Sequence, residues 1–174
     1  MTKGKEIYFD MNIDNLTNLL KSGEVLRYHT TPRVPAQTVA QHSWGVALIY
    51  RYLTGSESLY DALLHDSAEL FVGDIPAPVK AYIAEQTHLI ENLEIHYAID
   101  AFGEYRESLN PLMHVADKLE ALYWTRRANN EEGRALNAKM ADALRRELAE
   151  IKLTAEVREK IMGLMERWGY EAKQ

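Results

Sequence analysis

Cysteine is absent from the 174 residues. That excludes disulfides and thiolate zinc sites, so any metal must be held by nitrogen and oxygen ligands. A surplus of positive charge is missing too: 20 lysines and arginines stand against 26 aspartates and glutamates, for a formal net charge of -6 and a pI near 5.5. General nucleic-acid or membrane-surface binding relies on a broad positive field, which this chain lacks, although a local basic pocket for one small anion remains compatible with it. No segment approaches the roughly 18 apolar residues needed to span a bilayer. The opening MTKGKEIYFDMN has no apolar stretch of the secretory kind, and the expected location is the cytoplasm.

Alternating apolar runs are scarce as well, and nearly every segment reads helical. A hydrophobic content of 47% over this length is enough for one domain with a real core. A first helix fits Asn15 to Ser22, stopped by Gly23, and the breaker-rich RYHTTPRVPAQ follows as a loop. Thr38 and Gln41 can form a capping box for a second helix, in which Val39, Val46, Ile49 and Leu53 recur at helical spacing. Ser58 is an N-cap candidate for a third, Leu59 to Leu70. Val79 to Phe102 reads as a long or broken helix. Asn110 and Pro111 suit the cap and first turn of a helix to about Arg127. Glu132 to Ile151 and Thr154 to Trp168 complete the series.

The third helix carries the most informative text. His65 and Asp66 are adjacent, and with His42 upstream and Asp117 downstream the chain reads H…HD…D. Imidazole and carboxylate together suit Zn, Mn, Fe, Co or Ni, ions that activate water and polarise a phosphorus centre. The flanks Ala62, Leu63, Leu64 and Ala68 predict a mostly buried segment, where ionisable groups need partners or a metal. A helix-surface pair is the plainer alternative. Glu69, one turn on, can share a face with His65 and Asp66 and move a proton during attack by water, or it is an ordinary solvated acid. Arg27 and Arg33 lie in the loop and are candidates for paired hydrogen bonds to phosphate, as against plain surface cations. Tyr28 can stack on a base or sugar. Asp74 sits in the VGDIP turn, where Asp is also a common turn former. Lys80 and Lys118 are further phosphate candidates, and Lys118 is also an ion-pair partner for Asp117.

The segments RYHTTPRVPAQTVAQHS, LLHDSAELFVGDIPAPVK and HVADKLEALYW resemble the HD-domain superfamily, and within it the bacterial 5′-deoxynucleotidases. The GDIPAPVK text is more specific than HD alone. The resemblance implies an all-α fold, a single compact helical bundle spanning 1–174. The site would lie within about 24–125, with helices 132–168 completing the bundle or an oligomer interface. Carried over position by position, His42, His65, Asp66 and Asp117 hold a divalent ion, Asp66 and Glu69 serve catalysis, Arg27 holds the phosphate, and Tyr28 and Asp74 shape the deoxyribose site. The family more usually has Trp where Tyr28 stands.

A second group is similar: small phage-encoded HD phosphohydrolases that remove triphosphate from dATP. A triphosphate needs more cationic partners, for which Arg33, Lys80 and Lys118 are available. The implied cofactor is one divalent transition metal, Co, Zn or Mn, with a second Mg or Zn on the substrate phosphates as an option. The leading expectation is a 5′-deoxynucleotidase, converting a deoxynucleoside monophosphate to deoxynucleoside and phosphate. The alternatives are a dATP or dNTP triphosphohydrolase, which for a phage-encoded chain would work in the host cytoplasm, and a nucleotide-sensing HD protein without turnover. The expected partner is a small-molecule deoxynucleotide, with no nucleic-acid polymer and no membrane, in a homo-oligomer.

Overall fold

Thr38 begins the helix that carries the first candidate ligand, and it does so by the predicted capping box. Its hydroxyl accepts from the Gln41 N–H at 3.2 Å while the Gln41 side chain accepts from the Thr38 N–H at 3.0 Å. The computed structural model describes residues 13–28, 34–56, 59–76, 79, 92 and 111–170. In chain order these form α1 (Ile13–Ser22), β1 (Leu26–Arg27), β2 (Gln37–Thr38), α2 (Val39–Thr54), α3 (Tyr60–Leu64), α4 (Glu69–Val72), α5 (Pro111–Thr125), α6 (Glu131–Glu150) and α7 (Ala155–Arg167). The fold is thus mostly helical, as expected. Pro111 is the first residue of α5, where its missing N–H costs nothing. Asn130 and Thr154 cap α6 and α7 through their side chains. The predicted caps Ser58 and Asn110, and nearly all of the predicted Val79–Phe102 helix, lie outside the described residues.

Two readings are corrected. The segment after α1 is not all loop: Leu26 pairs with Thr38 and Arg27 with Gln37 in an antiparallel ladder. Two residues a side are too short to leave an alternating signature in sequence. The predicted Leu59–Leu70 helix is broken at His65–Ala68 into α3 and α4, and the HD pair sits in the break rather than on a helix face.

The core explains why the site can be rigid. Leu53 of α2, Leu119 and Leu122 of α5, Leu144 and Leu148 of α6, and Ile161 and Met165 of α7 form one buried cluster. A second, of Val46, Ala47, Ala62, Met113 and Ala116, ties α3 to α2 and α5. Burying each such side chain contributes on the order of 2 kcal/mol. At the far end of α5, Asn137 Nδ2 donates to Thr125 Oγ1 (2.8 Å) and to the Leu122 carbonyl (3.0 Å), and the Tyr170 hydroxyl donates to Asn137 Oδ1 (2.8 Å). This buried polar network fastens α5 to α6 and to the chain that follows α7. Among the described residues no helix is long and apolar enough to cross a membrane.

Candidate metal centre

The break at the HD pair has a local cause. In a continuing α-helix the Ala62 carbonyl would take the N–H of Asp66; here it faces His65 Nδ1 at 2.9 Å. Beyond it the backbone tightens to three-residue spacing, with Ser67 N–H bonded to the Leu64 carbonyl and Glu69 N–H to that of Asp66. A carbonyl can only accept, so His65 Nδ1 carries a proton and its Nε2 is left with a lone pair when the ring is neutral. His42 is held the same way. Its Nδ1 lies 2.5 Å from Glu120 Oε2, so Nε2 again faces inward.

The inward atoms converge. His42 Nε2 is 3.2 Å from His65 Nε2, 3.4 Å from Asp66 Oδ2 and 3.0 Å from Asp117 Oδ1, and His65 Nε2 is 3.3 Å from Asp66 Oδ2. Ligand atoms on a tetrahedral ion with Zn-type bonds stand roughly 3.3 Å apart, so these separations fit a divalent transition metal. His42, His65 and Asp66 satisfy that requirement mutually, with ligand atoms all within 4.8 Å of one another. Asp117 reaches the cluster through His42 and stands outside that mutual trio. His42 is fully buried, whereas His65 and Asp66 keep 17% and 20% exposure, so the HD segment is less enclosed than its apolar flanks suggest.

Arg27 closes the cluster from the ladder side, where its Nη1 bonds Asp66 Oδ2. Burial opposes its charge, but Asp66, Asp117 and Glu69 outweigh that and raise its pKa further. Asp66 and Asp117 are also opposed by burial, yet both are held below the usual carboxylate range: Asp66 by His65, Arg27 and His42, Asp117 chiefly by its hydrogen bond to His42. Glu69, the first residue of α4, is buried at 8% exposure. Because the helix breaks before it, it does not share a continuous helix face with His65 and Asp66; its charge nonetheless acts on Arg27.

Tyr28 has a φ of 60°, a left-handed conformation unusual for a bulky residue. Its N–H donates to Asp74 Oδ2 at 3.1 Å, so the GDIP turn reaches across and holds this strained position next to Arg27. Burial pushes the Tyr28 phenol up to about 12, despite the opposing charge of Arg27, so the ring is neutral at physiological pH. Lys118 points elsewhere: it is half-exposed and bonds Glu147 of α6, not Asp117. Arg33 and Lys80 lie outside the described residues. Reasoning from sequence missed Glu120 and its partner Gln37, whose Nε2 donates to Glu120 Oε1 at 2.7 Å. The available signal was an acid three residues after Asp117, flanked by leucine and alanine on a helix.

The cluster gives a pH prediction for the metal-free protein. Burial lowers the His42 pKa, but its bonds to Asp117 and Glu120 win and raise it from 6.5 to about 9. A folded-state value above the unfolded one means stabilisation that is fully present below 6.5 and lost as pH rises through about 9. Thermal melts of metal-free protein should therefore fall by a few degrees across that window. A melting temperature that is flat or rising there would contradict the assigned hydrogen bonds.

A family model described as HD domain matches residues 19–159. A dATP triphosphohydrolase of Salmonella phage PMBT28 is 33% identical over 125 residues, covering 62% of this chain and 63% of that relative, so the chain spans less than two thirds of the relative's length. Among solved structures, the cyanophage S-2L HD phosphohydrolase DatZ, bound to dA and one catalytic Zn2+ ion, aligns with a TM-score of 0.70. That alignment covers 87% of this chain and 94% of DatZ at 21% identity, which establishes a common fold.

Proposed function

The chain belongs to the HD domain family, and from that premise we propose that it is a divalent-metal-dependent phosphohydrolase that cleaves a 2′-deoxynucleoside triphosphate to deoxynucleoside and triphosphate. The observation that carries the hydrolase reading is the convergence of His42 Nε2, His65 Nε2 and Asp66 Oδ2, with Arg27 bonded to the same carboxylate oxygen. The name of the phage relative supports triphosphate release, with dATP as substrate, over the 5′-deoxynucleotidase reading that the motifs alone put first. His42, His65, Asp66 and Asp117 would hold the ion. When bound, it supplies a Lewis acid that polarises the phosphoryl group and favours ionisation of water.

The remaining chemistry falls to the side chains. Arg27 brings a permanent positive charge to the α-phosphate; its Nε is buried and has no hydrogen-bond partner among the described residues, so it has a donor to offer a phosphate oxygen. Glu69 accepts the proton of the water that attacks the α-phosphorus. As the P–O5′ bond breaks, Glu69 returns that proton to O5′, which leaves as the nucleoside hydroxyl, and the three phosphates depart together with the oxygen of the water on the α-phosphorus. Tyr28, whose N–H is held by Asp74, would meet the sugar. Lys118, paired with Glu147, is a weak candidate for a phosphate contact.

Incubating the protein with Mn2+ or Co2+ and a panel of dNTPs, dNMPs and ribonucleotides tests this. Triphosphate from dATP is the expected product. Orthophosphate from dNMPs would restore the deoxynucleotidase reading, and metal binding without turnover on any nucleotide would point to a sensor.

A further inference from the structure

We propose that Glu120 is a positioning residue of the metal centre, setting the tautomer and tilt of His42 and linking that ring to the strand that carries Arg27. The inference rests on the metal reading of the cluster and deepens it.

Three contacts fix the Glu120 side chain, which is buried at 4% exposure. One carboxylate oxygen lies 2.5 Å from His42 Nδ1 and the other accepts from Gln37 Nε2 at 2.7 Å. The third contact is steric. A Cβ built on Gly45 would stand 2.6 Å from Glu120 Cγ, so the glycine in the middle of α2 leaves the room that the Glu120 chain occupies. Gly45 is one turn beyond His42 on α2, and Glu120 is one turn beyond Asp117 on α5. The carboxylate therefore sits between the two helices that present these groups.

The consequence is chemical. A carboxylate accepts, so the proton stays on Nδ1 and the Nε2 lone pair faces His65, Asp66 and Asp117. An imidazole whose outer N–H is taken by a carboxylate is also a stronger donor to a metal, and loss of such a partner typically costs about 10- to 100-fold in affinity. Gln37 extends the link, because it is the ladder partner of Arg27. Glu120 thus ties the depth of the His42 ring to the position of the phosphate-facing arginine. It contacts neither metal nor substrate.

Titration of metal-free protein with Co2+ against a competing chelator, read by the visible absorption of the bound ion, tests the role without relying on turnover. Glu120→Ala should bind about 10- to 100-fold more weakly, with an altered cobalt spectrum. Glu120→Gln should recover most of the affinity and the wild-type spectrum, since its amide oxygen can accept from Nδ1 while Gln37 flips to offer its own oxygen. Gly45→Ala keeps the ligands and Glu120 but pushes the carboxylate aside, and should weaken binding in the same direction. Wild-type affinity and spectrum in both Glu120→Ala and Gly45→Ala would overturn the proposal. So would equal weakening by Ala and Gln accompanied by an equal drop in metal-free melting temperature, the mark of a merely structural group. If wild-type protein itself bound no Co2+, the metal reading would fall together with this one.

Discussion

Replacing Asp66 by alanine is expected to remove both metal retention and hydrolysis. Its Oδ2 is the atom at which His42, His65 and Arg27 meet, at 3.4 Å and 3.3 Å from the two imidazole nitrogens. Without it the cluster keeps cationic and imidazole groups but loses the charge that gathers them. The protein should also melt lower, since removing one partner of a buried pair costs about 3–5 kcal/mol, and somewhat less here because Asp66 retains partial exposure. Asp66→Asn separates the two effects. It preserves shape and one oxygen while deleting the charge, so it should stay folded yet retain less than about a hundredth of the metal affinity, consistent with loss of a charged ligand. Metal content after purification, with turnover on dATP, is the check. An Asp66→Asn protein carrying a full complement of ion and hydrolysing at the wild-type rate would remove Asp66 from the site.

Glu69→Gln should separate chemistry from metal binding. Glu69 is buried at the start of α4, where its carboxylate acts on Arg27. The amide is nearly isosteric, so packing is preserved while the ability to take a proton is lost. A positioned general base contributes typically about 10²- to 10⁴-fold, and kcat should fall by that factor with metal affinity unchanged to within a few-fold. A variant with unchanged kcat would assign the proton transfer elsewhere.

What the sequence disclosed follows the range of the forces involved. The Thr38 capping box and the proline opening α5 are local devices, and each stands where its residues predict. His42, His65 and Asp66 were legible because histidine and aspartate among apolar neighbours call for a partner, and the fold brings the three together. The break between α3 and α4 was not legible. It depends on one ring nitrogen taking one carbonyl, which leaves no periodic trace. Glu120 was hidden for a different reason: its two partners stand 78 and 83 residues away, so that its DKLEAL context looks like any amphipathic helix. Lys118 shows the reverse, a plausible phosphate contact from sequence whose three-dimensional neighbour is Glu147.

In the proposed function, one divalent ion at the His42, His65 and Asp66 cluster is what enables this chain to release triphosphate from dATP. Metal-free protein titrated with Mn2+ in the presence of dATP, with triphosphate and orthophosphate resolved at each addition, tests that dependence most directly. The expected result is no product before metal, triphosphate release that rises with bound Mn2+ to a plateau at one ion per chain, and no detectable release from Asp66→Asn at the Mn2+ concentration that saturates the wild type. Product formed by metal-free protein, or equal release by Asp66→Asn, would contradict it.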